Sequence, residues 1–278
     1  MLGRSIDGPL PIWETELSPA AFPYLGDHRV GENVVFPGAG YVEAALAMFD
    51  DETPCRIENL AFHRLLVLDP ATINTLRLSF DPTTREITMY GRRTGDDPAW
   101  VLHANGRRSG LADPTPPGPR SLSLEVLTAG LNEVERASIY ARFERAGLRY
   151  GPAFQDLRRL WLGTEEVVAE IEVEGLDVNR YQLHPAVLDA AFQALLAVLR
   201  PQADGTSILV PVEMAEIRFS ELPVRVNCGL TAPGAAARRP SGRPGILCCS
   251  PLTARSRRGA RRTPFAGRAL GNQHPVGR

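Results

Sequence analysis

Two apolar helical runs constrain this chain more than any other feature. Residues 41–49 (YVEAALAMF) and 187–196 (VLDAAFQALL) are rich in alanine and apolar around most of their circumference. A helix without a polar face cannot rest on a surface, so each run must be enclosed by other elements. The material available to enclose them is strand-like. Leu76, Leu78 and Phe80 alternate with polar residues, as do Ile87 and Met89, and Asp81-Pro82-Thr83-Thr84 reads as the turn between them. Trp100, Leu102 and Ala104 continue the theme. Further on, a helix is expected from Val134 to Ala146, stopped by Gly147. Val167, Ala169, Ile171 and Val173 then alternate with Glu170, Glu172 and Glu174, and Ile217 and Phe219 mark one more strand.

A proline-rich stretch, Asp113-Pro114-Thr115-Pro116-Pro117-Gly118-Pro119, separates the two sets. Proline lacks the amide donor and fixes φ, so this stretch serves neither a helix nor a central strand and reads as a linker. The fold class is therefore α+β: one antiparallel sheet wrapped around one buried helix, twice, rather than alternating βαβ units. The expected divisions are residues 1–110, a linker at 111–122, a second unit at 123–228, and a tail at 229–278.

The tail differs from the rest. The formal net charge of -1 hides a stretch, residues 229–278, with 10 Arg, 8 Gly, 6 Pro and no acidic residue. Lysine is absent, and the other 228 residues hold 21 Arg against all 32 acidic residues. GC-rich codons read out of frame give mostly Arg, Ala, Gly and Pro, so an out-of-frame tail is the first expectation. A native disordered basic appendage is the second. Either way the second unit is expected to be incomplete.

Several function classes are excluded at this level. No apolar run reaches the roughly 20 residues needed to span a bilayer. No secretory signal opens the chain, which favours a cytoplasmic protein. The four cysteines form no CxxC pair, so neither a disulfide framework nor a metal site is expected. The acidic body argues against nucleic acid. Gly38-Ala39-Gly40 begins like a dinucleotide loop, but Glu43 stands where the third glycine belongs.

Two polar residues stand out. His28 lies in HRVGENVVFP (residues 28–37), just ahead of the first buried helix. A lone histidine there reads first as a surface residue in a loop. Asp189 sits inside the second apolar run, where a carboxylate needs a partner, and Gln193 shares its face four residues on. A structural hydrogen bond accounts for that pair as readily as catalysis does.

Together these segments resemble the dehydratase domain of a type I polyketide synthase. His28 to Pro37 is similar to the family's H-x3-G-x4-P motif, followed by Phe36-Pro37-Gly38-Ala39-Gly40-Tyr41 at the helix start. Gly147-Leu148-Arg149-Tyr150-Gly151-Pro152-Ala153-Phe154 resembles GYxYGPxF. Asp189-Ala190-Ala191-Phe192-Gln193 matches DxxxQ/H. Val210-Pro211-Val212-Glu213 leading to Arg218-Phe219 resembles a looser fourth block. There are departures: Gly31 stands one place early with Glu32 in the glycine's position, Leu148 replaces a tyrosine, and the fourth block lacks its tryptophan.

The resemblance implies a double hotdog fold and loss of water from a β-hydroxyacyl thioester on an acyl carrier protein. It implies His28 as general base, Asp189 as general acid, and Gln193 orienting the acid or the hydroxyl. It places Gly31, Pro37, Gly38, Tyr150, Gly151 and Pro152 along the substrate tunnel. The acyl chain would ride on the carrier's phosphopantetheine arm, with no cofactor or metal of the chain's own. The carrier protein, neighbouring synthase domains and a second copy of the chain are the implied partners. The alternatives are a non-catalytic remnant of such a domain and another hotdog thioester enzyme, a hydratase or thioesterase. His184 before Pro185 reads as structural, and His63 and His103 take no role.

Overall fold

Pro37 begins the first buried helix. Its fixed φ of -69° with ψ of 149° suits the residue preceding a helix, and α1 runs Gly38–Ala47. From Ala39 to Leu46 every side chain is buried, and the alanines let a sheet approach the helix closely. The computed structural model describes residues 1–18, 21–48, 55–94, 99–109, 123–163, 167–172, 175–198, 210–219, 227–229 and 245–249. The proline-rich linker, Phe49, Val173, Glu174 and most of the basic tail fall outside them.

In chain order the strands of the first half are β1 (Arg4–Ile6), β2 (Ile12–Leu17), β3 (His28–Val30), β4 (Asn33–Val34), β5 (Cys55–Phe62), β6 (Asn74–Asp81), β7 (Glu86–Arg93) and β8 (Val101–Ser109). The second half contains α2 (Leu124–Thr128), β9 (Asn132–Val134), α3 (Arg136–Arg145), β10 (Leu148–Tyr150), β11 (Leu157–Leu162), β12 (Val167–Ile171), α4 (Pro185–Val198), β13 (Glu213–Phe219), β14 (Asn227–Gly229) and β15 (Gly245–Cys249).

The large sheet has the order β1-β2-β6-β7-β8-β5-β13-β14 and the second β15-β12-β11-β9, while β10-β3-β4 form a small third sheet. The expected alternation is visible in β6 and β7: Leu76, Leu78, Ile87 and Met89 point into the core and are fully buried. Asp81 makes the turn between them, its Oδ1 accepting the amides of Thr83 at 2.8 Å and Thr84 at 3.3 Å. The core is continuous, and α1 and α4 touch each other at its centre. Glu43, fully buried on α1, accepts the amides of Gln182 at 3.2 Å and Leu183 at 2.8 Å. That ties the first helix to the chain leading into the second.

Three features differ from the sequence expectation. Val134 pairs with Leu160 in β9, and helix α3 begins only at Arg136. A β-branched residue at an open strand edge pairs there more readily than it opens a helix. Strand β13, from the second half, joins the first sheet against β5, with Ile217 opposite Ile57. This covers the edge of β5 and buries Met214 and Ile217. The basic stretch supplies β15, antiparallel to β12 with Leu247 opposite Ala169. No helix among the described residues is long and apolar enough to cross a membrane.

Candidate active site

The small sheet brings the two halves together. A single turn, Pro23–Asp27, delivers the chain to β3, and His28 is its first residue. Strand β4 folds back on β3 through Gly31, whose φ of +60° is the left-handed conformation glycine tolerates best. The other side of β3 pairs with β10, and Tyr150 lies directly opposite His28. Gly147, at φ +80°, ends α3 and accepts the Gly31 amide at 2.8 Å. Motif residues far apart in sequence thus become neighbours through six residues of antiparallel pairing.

The His28 Nδ1 lies 2.8 Å from the Val35 carbonyl. A carbonyl only accepts, so Nδ1 carries the proton and donates it. In the neutral ring Nε2 is then the unprotonated, basic nitrogen. It faces Asp189 Oδ1 at 3.9 Å, with side-chain exposures of 12% for His28 and 7% for Asp189. This separation is too long for a hydrogen bond, and it puts both groups at the same small volume. The Tyr150 ring stands 5.7 Å and the Phe154 ring 5.1 Å from the imidazole.

Asp189 is held from the other side. Helix α4 starts at Pro185, a residue suited to the first turn. One turn after Asp189, the Gln193 Nε2 donates to Asp189 Oδ2 at 2.9 Å and to the Phe154 carbonyl at 2.9 Å. The Phe154 carbonyl fixes the amide's orientation, because the flipped amide would set two acceptors against each other. Gln193 Oε1 is buried without a hydrogen-bond partner among the described residues. Burial pushes the Asp189 carboxyl above the ordinary carboxylate range, while the charge of His28 and the Gln193 hydrogen bond oppose this. Burial likewise raises the Tyr150 phenol, with Asp189 adding to it, so that phenol stays protonated.

The remaining expected residues divide. Pro37 precedes α1 two residues after the carbonyl that holds His28, and a Cβ on Gly38 would lie 3.5 Å from Pro211 and 3.7 Å from Phe62. The fourth block therefore packs on the start of α1. Pro152 opens a single helical turn, Pro152–Phe154, and Gly151 lies against Asp27. Gly31 makes a turn, and Glu32 is exposed and pairs with Arg149 at 2.5 Å. His184 is buried, accepts the Ala186 amide at 3.2 Å and meets the Tyr24 ring at a tilt and the Tyr181 ring edge to face. His63 bonds Asn105, and His103 bonds the Arg64 carbonyl. Two contributors escaped the sequence reading: the carbonyls of Val35 and Phe154. A backbone carbonyl carries no residue signature, although Phe154 stood within a motif already singled out.

Comparisons with known proteins bear on the family and the fold. The family model "Polyketide synthase dehydratase domain" matches residues 1–92, and "Polyketide synthase dehydratase N-terminal domain" matches residues 119–245. Polyketide synthase GfsE of Streptomyces halstedii is 38% identical over 197 residues, 66% of this chain and 5% of that protein. Mycoketide-CoA synthase of Mycobacterium tuberculosis is 33% identical over 209 residues, 70% of this chain and again 5% of the relative. The chain thus spans only a small part of the curated relatives it matches.

Among solved structures, the dehydratase domain from the CurF module of curacin polyketide synthase shares the fold at TM-score 0.71 and 23% identity, covering 90% of this chain and 95% of that one. A structure reported for dehydratase substrate selection in the borrelidin and fluvirucin polyketide synthases gives TM-score 0.65 at 28% identity, covering 93% and 94%. Two helices enclosed by antiparallel sheets, with family matches across both halves, have one reading: this chain belongs to the dehydratase domains of type I polyketide synthases and has their double hotdog fold.

Proposed function

We propose that the chain removes water from a β-hydroxyacyl thioester during polyketide synthesis. The carrying observation is the face-to-face placement of His28 Nε2 and Asp189 Oδ1 at 3.9 Å, each contributed by a different half. His28 Nε2 takes the α-proton, and the C–H electron pair becomes the Cα=Cβ bond. The β-carbon–oxygen bond breaks, and the proton on Asp189 Oδ1 goes to the departing hydroxyl, so the products are water and the α,β-unsaturated thioester. Hydroxide leaves poorly unless protonated, and the buried carboxyl keeps a proton for it. The enzyme resets when the proton returns from His28 to Asp189.

Gln193 serves both acid and substrate in this reading. Its Nε2 holds Asp189 Oδ2, leaving Oδ1 for the reaction, and its free Oε1 accepts the substrate's β-hydroxyl hydrogen. The positive end of α1, at Pro37 and Gly38, takes the thioester carbonyl as charge develops on it. Tyr150, Gly151 and Pro152 line the tunnel beside His28, and Gly31 shapes it only through its turn. The acyl group arrives on the phosphopantetheine arm of an acyl carrier protein, and the chain needs no cofactor of its own. Neighbouring synthase domains and a second copy of the chain are its proposed partners, in the cytoplasm.

The test is turnover of a β-hydroxyacyl carrier protein by the chain, followed as loss of one water mass. The parent should convert it, and His28→Ala should slow conversion by about 100-fold or more. Conversion by His28→Ala at the parent rate would overturn the assignment.

A further inference from the structure

Asp27, immediately before His28, holds the turn that supports the acid. Its backbone carbonyl accepts the Gly151 amide at 2.7 Å, and its carboxylate Oδ2 accepts the Ala153 amide at 2.9 Å. The approach is so close that a Cβ on Gly151 would sit 2.4 Å from Asp27 Cγ. The atoms in the way are the Cβ, Cγ and Oδ1 of Asp27 itself, so a side chain at Gly151 would displace the carboxylate that clamps the turn. The clamped turn, Pro152–Phe154, presents the Phe154 carbonyl to Gln193, and Gln193 holds Asp189. A continuous path therefore runs from the residue bonded to the base, through Ala153 and Phe154, to the acid. Every link on it is a hydrogen bond of 2.9 Å or a peptide bond.

We infer that Asp27 is a positioning residue that sets the spacing between His28 and Asp189. The inference rests on the dehydratase reading of that pair. His28 is fixed on its own side by the Val35 carbonyl and the β3–β10 pairing. Among the described residues, the hydrogen-bonded route from β3 to the acid runs through the turn that Asp27 clamps, beside the β3–β10 pairing that leads into it. The carboxylate acts as an acceptor aimed at one amide, so its shape matters rather than its charge. Asparagine can keep that acceptor in place, whereas alanine cannot. The sequence reading passed over Asp27 because it stood beside a more conspicuous histidine.

The experiment compares the parent chain with Asp27→Ala and Asp27→Asn on a β-hydroxyacyl carrier protein, and determines the crystal structure of each. Asp27→Ala should lower kcat about 10- to 100-fold with KM changed less than about 2-fold, as expected when reacting groups drift by a fraction of an ångström. Asp27→Asn should stay within about 3-fold of the parent. The His28 Nε2 to Asp189 Oδ1 separation should remain near 3.9 Å in Asp27→Asn and widen in Asp27→Ala. Parent-like kcat per folded molecule in Asp27→Ala, or an equal loss in Asp27→Asn, would overturn the inference. The crystal separation needs no turnover, so an unchanged value in Asp27→Ala overturns it even if the parent dehydrates nothing. A parent that dehydrates nothing contradicts the function proposed for the pair.

Discussion

Asp189 and His184 lie five residues apart on one buried stretch, and burial acts on them in opposite directions. Asp189 is pushed above the ordinary carboxylate value of 3.8 because its charged form loses water. As the acid must hold its proton, kcat/KM should fall as pH rises through that elevated pKa. A pH profile of carrier-bound substrate turnover checks this. A limb attributable to Asp189 at the ordinary carboxylate range contradicts it, and the limb should vanish in Asp189→Asn. His184 is pushed down from 6.5 to about 4 by burial, so it stays neutral and its Nδ1 remains an acceptor for Ala186. Its folded pKa lies below its unfolded one, so its protonation favours the unfolded chain. That stability is complete above pH 6.5 and fades as pH falls toward 4. The loss amounts to about 3 kcal/mol at the acid end. Urea midpoints of the parent and His184→Gln across that window give the measurement. The parent should lose stability more steeply, and parallel curves would contradict the argument.

At the scale of elements, the helices were legible because burial demands an apolar surface, and the sequences of α1 and α4 carry little else. Strands β6 and β7 were legible from alternation. The position of Val134 was not, because pairing with Leu160 is a long-range contact that overrides a local helical pattern. Nor was the placement of β13 against β5, since a two-residue period shows that a strand exists but not which edge it joins. The basic stretch is the sharpest case. Its composition hides a strand, yet residues 245–249 pair along β12. Adjacent residues of a strand alternate the direction of their amides, so prolines at both Ile246 and Leu247 must remove one inward donor. The doubly substituted chain should melt several degrees below the parent, corresponding to about 1–3 kcal/mol. An unchanged melt would return residues 229–278 to the status of a stretch outside the fold, as an out-of-frame tail would be.

For the whole molecule, the proposed chemistry lies where the two halves meet rather than within either one. The halves are joined by β3 against β10, by Glu43 of α1 on the amides before α4, and by β13 on the first sheet. The first of these holds the strand that carries His28, and the second holds the entry to the helix that carries Asp189. The sequence named both residues, but it did not supply the carbonyls of Val35 and Phe154 that orient them. Those ties depend on tertiary path, and any residue can offer a carbonyl.

The central claim is that His28 and Asp189 act as one unit across the junction. The direct measurement is kcat of His28→Ala, Asp189→Asn and the double variant on a β-hydroxyacyl carrier protein. If they act together, each single change should remove most of the rate and the double variant should be little slower than the slower single one. Losses that multiply in the double variant, or a single variant that retains the parent rate, would contradict the account.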